Sequence, residues 1–155
     1  FPTRRSSDLP AESETYMQKV RLMRENEQRW VSTDVEDADY VFVAFGMCGR
    51  VMTGLIGELR KKGYKVGLIR PISAWPFPEK AFEELKAKSP NVKGFITVET
   101  NGEGQMAEDV AIYTRKHGLG AAPIYALAYA CGVPKDDVVT ADFEKILAGE
   151  IKEVF

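Results

Sequence analysis

Four short apolar runs, Tyr40 to Phe45, Lys65 to Ile69, Gly94 to Val98 and Ile124 to Ala128, recur along this chain with an amphipathic segment between each pair. Runs of four to six residues rich in Val, Ile and Phe, separated by helix-length stretches, are the pattern of β-α-β units whose strands are buried on both faces. Crossovers between parallel strands are right-handed, so helices cover both faces of the sheet. The expected fold class is therefore α/β, a three-layer sandwich with a mostly parallel sheet.

The segments between the runs carry their own punctuation. After the first run, Val51, Leu55, Ile56 and Leu59 form one helical face, which closes at Arg60-Lys61-Lys62 and Gly63, cations and a left-handed glycine at a helix C-terminus. The second crossover begins at Pro78 with Glu79 beside it, buries Phe82 and Leu85, and stops before Pro90. A third helix starts near Gly104 and carries Met106, Val110 and Tyr113 before Lys116 and Gly118. Thr140 reads as the N-cap of a last helix with Phe143, Ile146 and Leu147 inward and Gly149 past its end. Ahead of the first run, Tyr16 to Trp30 has a thin stripe of Tyr16, Val20, Met23 and Trp30 among charges, a surface helix, and Ser32 to Asp39 is an acidic lead-in.

Residues 1–9, FPTRRSSDL, are what a common sequencing-adapter tail encodes when translated, and are read as a scar outside the native fold. Native sequence is expected to continue upstream of Pro10, so that this chain lacks an N-terminal partner domain. The division that follows is 1–9 scar, 10–39 linker with a charged helix, and 40–155 the folded domain.

With 155 residues the chain is long enough for one core without disulfides or metals. Its formal net charge is −2, and setting aside the tail removes two arginines and one aspartate, leaving an acidic domain unsuited to nucleic acid. No apolar stretch approaches the roughly 18 residues of a membrane span, and no signal peptide precedes the domain, so a cytoplasmic location is expected. Cys48 and Cys131 stand far apart with no Cys-x-x-Cys or nearby histidine, which leaves no ligand set for a metal or iron–sulfur site and reads as two free thiols.

Ligands of open parallel sheets gather at the carboxyl ends of the strands. Four loops leave those ends: Gly46 to Arg50, Arg70 to Pro78, Glu99 to Gln105 and Tyr129 to Pro134. Gly46, Gly49 and Arg50 lead from strand to helix and are a candidate phosphate site, weighed against a tight turn that needs small residues. Cys48 lies where a helix N-terminus lowers a thiol's pKa, yet the single histidine, His117, ends another helix and supplies no base. Arg70, directly after a buried strand, needs an anionic partner; Glu99, at the same height on the next visible strand, is the simplest one, and a companion domain is the alternative. Gln105 reads as a capping side chain. Trp75 and Phe77 sit in a loop too short to bury both, and either pack on this domain's helices or form an interface. Glu83-Glu84 and Asp136-Asp137 read as solvated faces. No catalytic residue or metal ligand is assigned.

Three stretches together, KVGLIRPISAWPFP (Lys65 to Pro78), YVFVAFGMCGR (Tyr40 to Arg50) and GQMAEDV (Gly104 to Val110), resemble the second core domain of the 2-oxoacid:ferredoxin oxidoreductases over roughly residues 16–150. Asn26-Glu27-Gln28-Arg29 is similar to the family's Asn-Glu-x-Arg link between core domains, and Gly104 to Met106 to its Gly-Gln-Met motif, with Thr100 to Glu103 a longer insert after the matching Glu99. The resemblance implies a transketolase C-terminal domain-like fold and an alpha-type subunit of a thiamine-dependent enzyme. With its partners, such an enzyme converts a 2-oxoacid, coenzyme A and oxidised ferredoxin into acyl-coenzyme A, carbon dioxide and reduced ferredoxin. It implies thiamine pyrophosphate, Mg²⁺ and iron–sulfur clusters in the complete complex, none of them held by this segment. The implied partners are the chain's own thiamine-pyrimidine domain, companion subunits and, through the complex, ferredoxin. Arg70, Trp75, Phe77, Glu99 and Gln105 become candidate interface residues. Two other readings are a free-standing module binding a nucleotide or coenzyme A phosphate, and the matching domain of a transketolase-like or oxoacid dehydrogenase enzyme.

Overall fold

The computed structural model describes residues 9–130 and 132–155; of residues 1–9, read as a scar, 1–8 lie outside the described residues and Leu9 begins the first helix, and the reading of Cys131 as a free thiol also lies outside them. The elements in chain order are α1 (Leu9–Asn26), β1 (Trp30–Thr33), β2 (Tyr40–Ala44), α2 (Gly46–Lys61), β3 (Val66–Pro71), α3 (Glu79–Lys88), β4 (Gly94–Glu99), α4 (Met106–Lys116), β5 (Ile124–Ala128) and α5 (Asp136–Leu147). They form a five-stranded sheet in the order β1-β3-β2-β4-β5, in which only β1 runs antiparallel. The α/β class and the three-layer, mostly parallel architecture are as the sequence predicts.

Strand periodicity divides the core in two. On β2, Val41 and Val43 face the layer of α3 and α4, with Ile69, Phe82, Phe95 and Val110. Phe42 and Ala44 face the layer of α2 and α5, with Met52, Ile56, Ile96 and Phe143. A period of two thus serves both helix layers from one strand. The Phe143 ring meets Tyr40, Phe42 and Tyr64 edge-on at 5.7, 5.3 and 5.3 Å, the electrostatically favoured arrangement, and ties α5 to the sheet.

The structure differs from the sequence reading at two places. Trp30 is no part of the first helix, which ends at Asn26; it opens β1, whose register pairs Trp30 with Pro71 and Thr33 with Leu68. Val35 and Ala38 are buried, so residues 30–39, assigned to a linker, belong to the sheet and core. The last helix begins at Asp136, a turn before Thr140, which is buried inside it. Asp136 and Asp137 are exposed, the solvated face read from the sequence, and lie in its first turn, where acidic side chains also complement the helix dipole.

Helix α1 buries none of its residues, as expected of a surface helix. Among the described residues, no helix is long and apolar enough to cross a membrane. At the far edge, the amide of Ile124 donates to Phe155 O at 3.0 Å and that of Val154 to Ile124 O at 2.8 Å, covering the start of β5.

Candidate functional site: a cleft at the switch point of the sheet

From β2 the chain crosses to β3 on one side, and from β3 it crosses back over β2 to β4 on the other. The loops after β2 and β4 therefore diverge, and a crevice opens between the carboxyl ends of these neighbours. A cleft of about 420 Å³ lies there, lined by residues of three of the four candidate loops, among them Gly46 and Cys48, Ala74 and Phe77, and Glu99 and Gln105. The fourth loop stands aside: the Tyr129 hydroxyl donates to Asp142 at 3.0 Å, and burial, then this bond, pushes its pKa well up.

The β4 side is built around Glu99. Its carboxylate accepts the Met106 amide at 2.9 and 3.1 Å and the Asn101 side-chain amide at 2.8 Å, so it closes the N-terminus of α4. The Asn101 carbonyl oxygen accepts the amides of Glu103 and Gly104 at 3.2 and 2.8 Å, which folds the Thr100 to Glu103 insert onto itself. Gly104 has φ of +75°, and a Cβ there would lie 3.0 Å from that of Ala126, so neither the conformation nor the space suits a side chain. Gln105, read from the sequence as the cap, occupies the N-cap position without a capping bond; the amides of Ala107 and Glu108, which an N-cap side chain would serve, go to the Gly104 and Gln105 carbonyls.

Arg70 and Glu99 do not pair. Arg70 follows Ile69 of the α3–α4 layer and so lies on the α2 face of the sheet, whereas Glu99, in step with Phe95, lies on the α4 face, with β2 between their strands. The stem of Arg70 instead crosses Gly49, where a Cβ would stand 2.9 Å from Arg70 Cγ and 2.7 Å from Ala44 O. Its Nε is buried without a hydrogen-bond partner among the described residues.

Cys48 is buried at the start of α2, and burial, with the Glu99 carboxylate second, pushes its thiol up. The lowering expected of a helix N-terminus is outweighed by desolvation. For Phe77 the structure takes the packing alternative: the ring is 7% exposed and stacks on Tyr113 at 5.3 Å and Phe82 at 6.1 Å. Trp75 is 52% exposed, with the Arg24 guanidinium 5.9 Å above its ring. Of the two aromatics, only Trp75 offers an outward surface.

The donor set does not suit a phosphate. No Lys, Arg or His lines the cleft, while Glu99 and Asp109 do; Arg50 is exposed and outside it, and the space beside Gly49 is filled by Arg70. The diphosphate of a thiamine cofactor would meet two carboxylates there, so this cleft does not hold it. Among the described residues no group of three or more His, Cys, Asp or Glu is placed to hold a metal. Sequence reasoning missed Asp109 and Asn101. Asp109 lies within the GQMAEDV stretch but was not singled out there, whereas Asn101-Gly102 in a loop is a turn signal that pointed to a built insert.

A family model described as pyruvate:ferredoxin oxidoreductase core domain II matches residues 38–138. The ketoisovalerate oxidoreductase subunit VorB of Methanothermobacter marburgensis is 42% identical over 96 residues, 61% of this chain and 26% of that protein. The 2-oxoglutarate synthase subunit KorA of Methanocaldococcus jannaschii is 33% identical over 104 residues, 64% of this chain and 28% of its own. The chain thus spans about a quarter of the length of the curated relatives it matches. In fold it is similar to the 2-oxoglutarate:ferredoxin oxidoreductase of Magnetococcus marinus, solved with 2-oxoglutarate, coenzyme A and succinyl-CoA bound. That likeness has a TM-score of 0.69 at 18% identity and covers 93% of this chain and 24% of the other. With about two thirds of its length under one family model, the chain belongs to the pyruvate:ferredoxin oxidoreductase core domain II family.

Proposed function

We propose that this chain is the assembly domain of the alpha subunit of a thiamine-dependent 2-oxoacid:ferredoxin oxidoreductase, supplying assembly surfaces and a wall beside the cofactor domain. The observation that carries the reading is the switch-point cleft itself. It has the position of a ligand site without an activated nucleophile: burial and the Glu99 carboxylate push the Cys48 thiol up, and the cleft's carboxylates repel phosphate. A surface of this kind serves to receive a neighbour.

In the complete complex, thiamine pyrophosphate with Mg²⁺ supplies the decarboxylation chemistry and iron–sulfur clusters carry the electrons to ferredoxin, all of them held elsewhere. This chain's part is to present the Ile72 to Trp75 turn and the cleft beside it, with Phe77 anchoring the turn from below. The relatives' names cover ketoisovalerate, 2-oxoglutarate and pyruvate enzymes, which supports a 2-oxoacid as the substrate class. A cytoplasmic setting, the chain's own thiamine-pyrimidine domain and companion subunits are part of the same proposal. The free-standing phosphate-binding reading is disfavoured by Glu99 and Asp109.

The test is a chimera in which residues 38–138 of this chain replace the matching segment of VorB. The expected outcome is a complex that assembles and reduces a viologen dye with ketoisovalerate and coenzyme A, while the chain alone does neither. A chimera that folds yet stays apart from its companion subunits overturns the proposal.

A further inference from the structure

The loop between β4 and α4 holds a reactive pair that the assembly role does not use. Asn101 and Gly102 are both exposed, and Gly102 has φ of +76°. Asparagine before glycine is the pair in which a backbone amide most readily attacks the preceding side chain, because no Cβ obstructs the approach. The Asn101 side chain is folded forward along the loop, its Oδ1 accepting the amides of Glu103 and Gly104 at 3.2 and 2.8 Å, which draws its amide carbon towards the intervening Gly102 peptide. The same two amides stabilise negative charge as it develops on Oδ1, as an oxyanion hole does. The Gly102 amide, whose nitrogen is the nucleophile, makes no hydrogen bond among the described residues and is free to react.

We propose that Asn101 is a modification site, at which spontaneous deamidation loosens the start of α4. The Gly102 nitrogen bonds to Cγ of Asn101, its proton passes through water to Nδ2, the Cγ–Nδ2 bond breaks, and ammonia departs. Water then opens the resulting succinimide at either carbonyl, leaving aspartate or isoaspartate. Either product loses the Nδ2 donor that now reaches Glu99 Oε2 at 2.8 Å and adds a second negative charge beside that carboxylate. Glu99 also holds the Met106 amide, so repulsion on one side of the carboxylate weakens the helix start on the other.

Two experiments decide it. In the first, the folded 155-residue chain is aged at neutral pH in ¹⁸O-labelled water and its peptides are read by mass spectrometry. Asn26 and Asn91, followed by Glu27 and Val92, are the internal controls. The Asn101 peptide is expected to take up ¹⁸O and to convert about tenfold or more faster than either control, with isoaspartate among its products. An Asn101 that stays intact in the folded chain overturns the proposal. So does conversion that occurs only after unfolding in urea, which would make the hydrogen bonds of the side chain a lock. In the second, amide hydrogen exchange at Met106 is compared in wild type, Asn101→Asp, and Asn101→Asp combined with Glu99→Gln. Exchange should quicken about tenfold in the single variant. It should return towards wild type in the double variant, where the like charge is gone. An Asn101→Asp chain that protects Met106 as wild type does overturns the loosening, as does a double variant no better protected than the single one. Should Asn101→Asp fail to fold, the aged wild-type chain, separated by charge from the unconverted one, supplies the same comparison.

Discussion

Glu99, the last residue of β4, caps helix α4 across a seven-residue gap by accepting the amide of Met106 through both carboxylate oxygens. A strand end and a helix start are joined by one side chain, so the loop between them is closed at its base whatever its tip contains. Removing that acceptor leaves a helix amide without a partner in a half-buried place. Glu99→Ala is expected to lower stability in urea unfolding by about 1–2 kcal/mol, and Glu99→Gln, which keeps one acceptor oxygen, by less. Equal loss in both would assign the effect to charge and not to the cap.

Two glycines of α2 provide a matched pair. A Cβ at Gly49 would sit 2.7 Å from a backbone oxygen, while one at Gly54 meets nothing within 4 Å. Gly49→Ala should therefore destabilise by roughly 2 kcal/mol, as overpacking does, and Gly54→Ala should stabilise by about 0.5–1 kcal/mol through helix propensity. Opposite shifts in thermal midpoint check both at once.

The two aromatics of the Arg70 to Pro78 loop should separate by what they support. Phe77→Ala removes a stacked core ring and should cost about 3 kcal/mol, read from denaturant midpoints. Trp75→Ala should leave the fold within about 0.5 kcal/mol and reduce assembly with companion subunits instead. A stability loss from Trp75→Ala as large as that from Phe77→Ala would place both rings in the core.

Asp109 makes stability depend on pH in a direction opposite to that of a salt-bridged acid. Burial first, then the neighbouring Glu108 and Glu99, raise its pKa; the α4 dipole opposes this, but its first free amide is already taken by Glu99. A carboxyl whose folded pKa lies above its unfolded one holds its proton longer in the native state, so stability falls as pH rises through that interval. Asp109→Asn should thus be more stable than wild type at pH 7, with the gain shrinking toward pH 3, where both states are protonated. A constant difference across that range would show that the side chain's shape, not its charge, is responsible.

The four parallel strands were legible because strands covered on both faces must be apolar throughout, and runs such as YVFVA admit few other structures. Strand β1 was not, since WVST is a short edge strand with one exposed face and lies between charged stretches that look like linker. Thr140 misled because cap preference is a property of residue type, whereas Asp136 and Asp137 set the start of α5 through their position just after Pro134. The loops that form the cleft followed from the rule for strand ends. The absent Arg70–Glu99 pair did not, because equal height along a strand says nothing of which face a side chain takes, and that depends on a register only the folded sheet defines. Trp75 and Phe77 are two residues apart in one loop, and nothing in their composition distinguishes the buried ring from the exposed one.

The segment just ahead of strand β1 has a mechanical consequence. The Arg29 carbonyl accepts the amides of Ile72 and Ser73 at 2.8 and 3.2 Å, the Arg29 amide donates to Ser73 Oγ at 3.0 Å, and Gln28 Oε1 accepts the Lys80 amide at 3.0 Å. The turn bearing Trp75 is thus stitched to the chain just behind α1 on both of its sides. Tension drawn along α1 is delivered to that turn rather than dissipated in a slack tether, and a hinge between the two has nowhere to form.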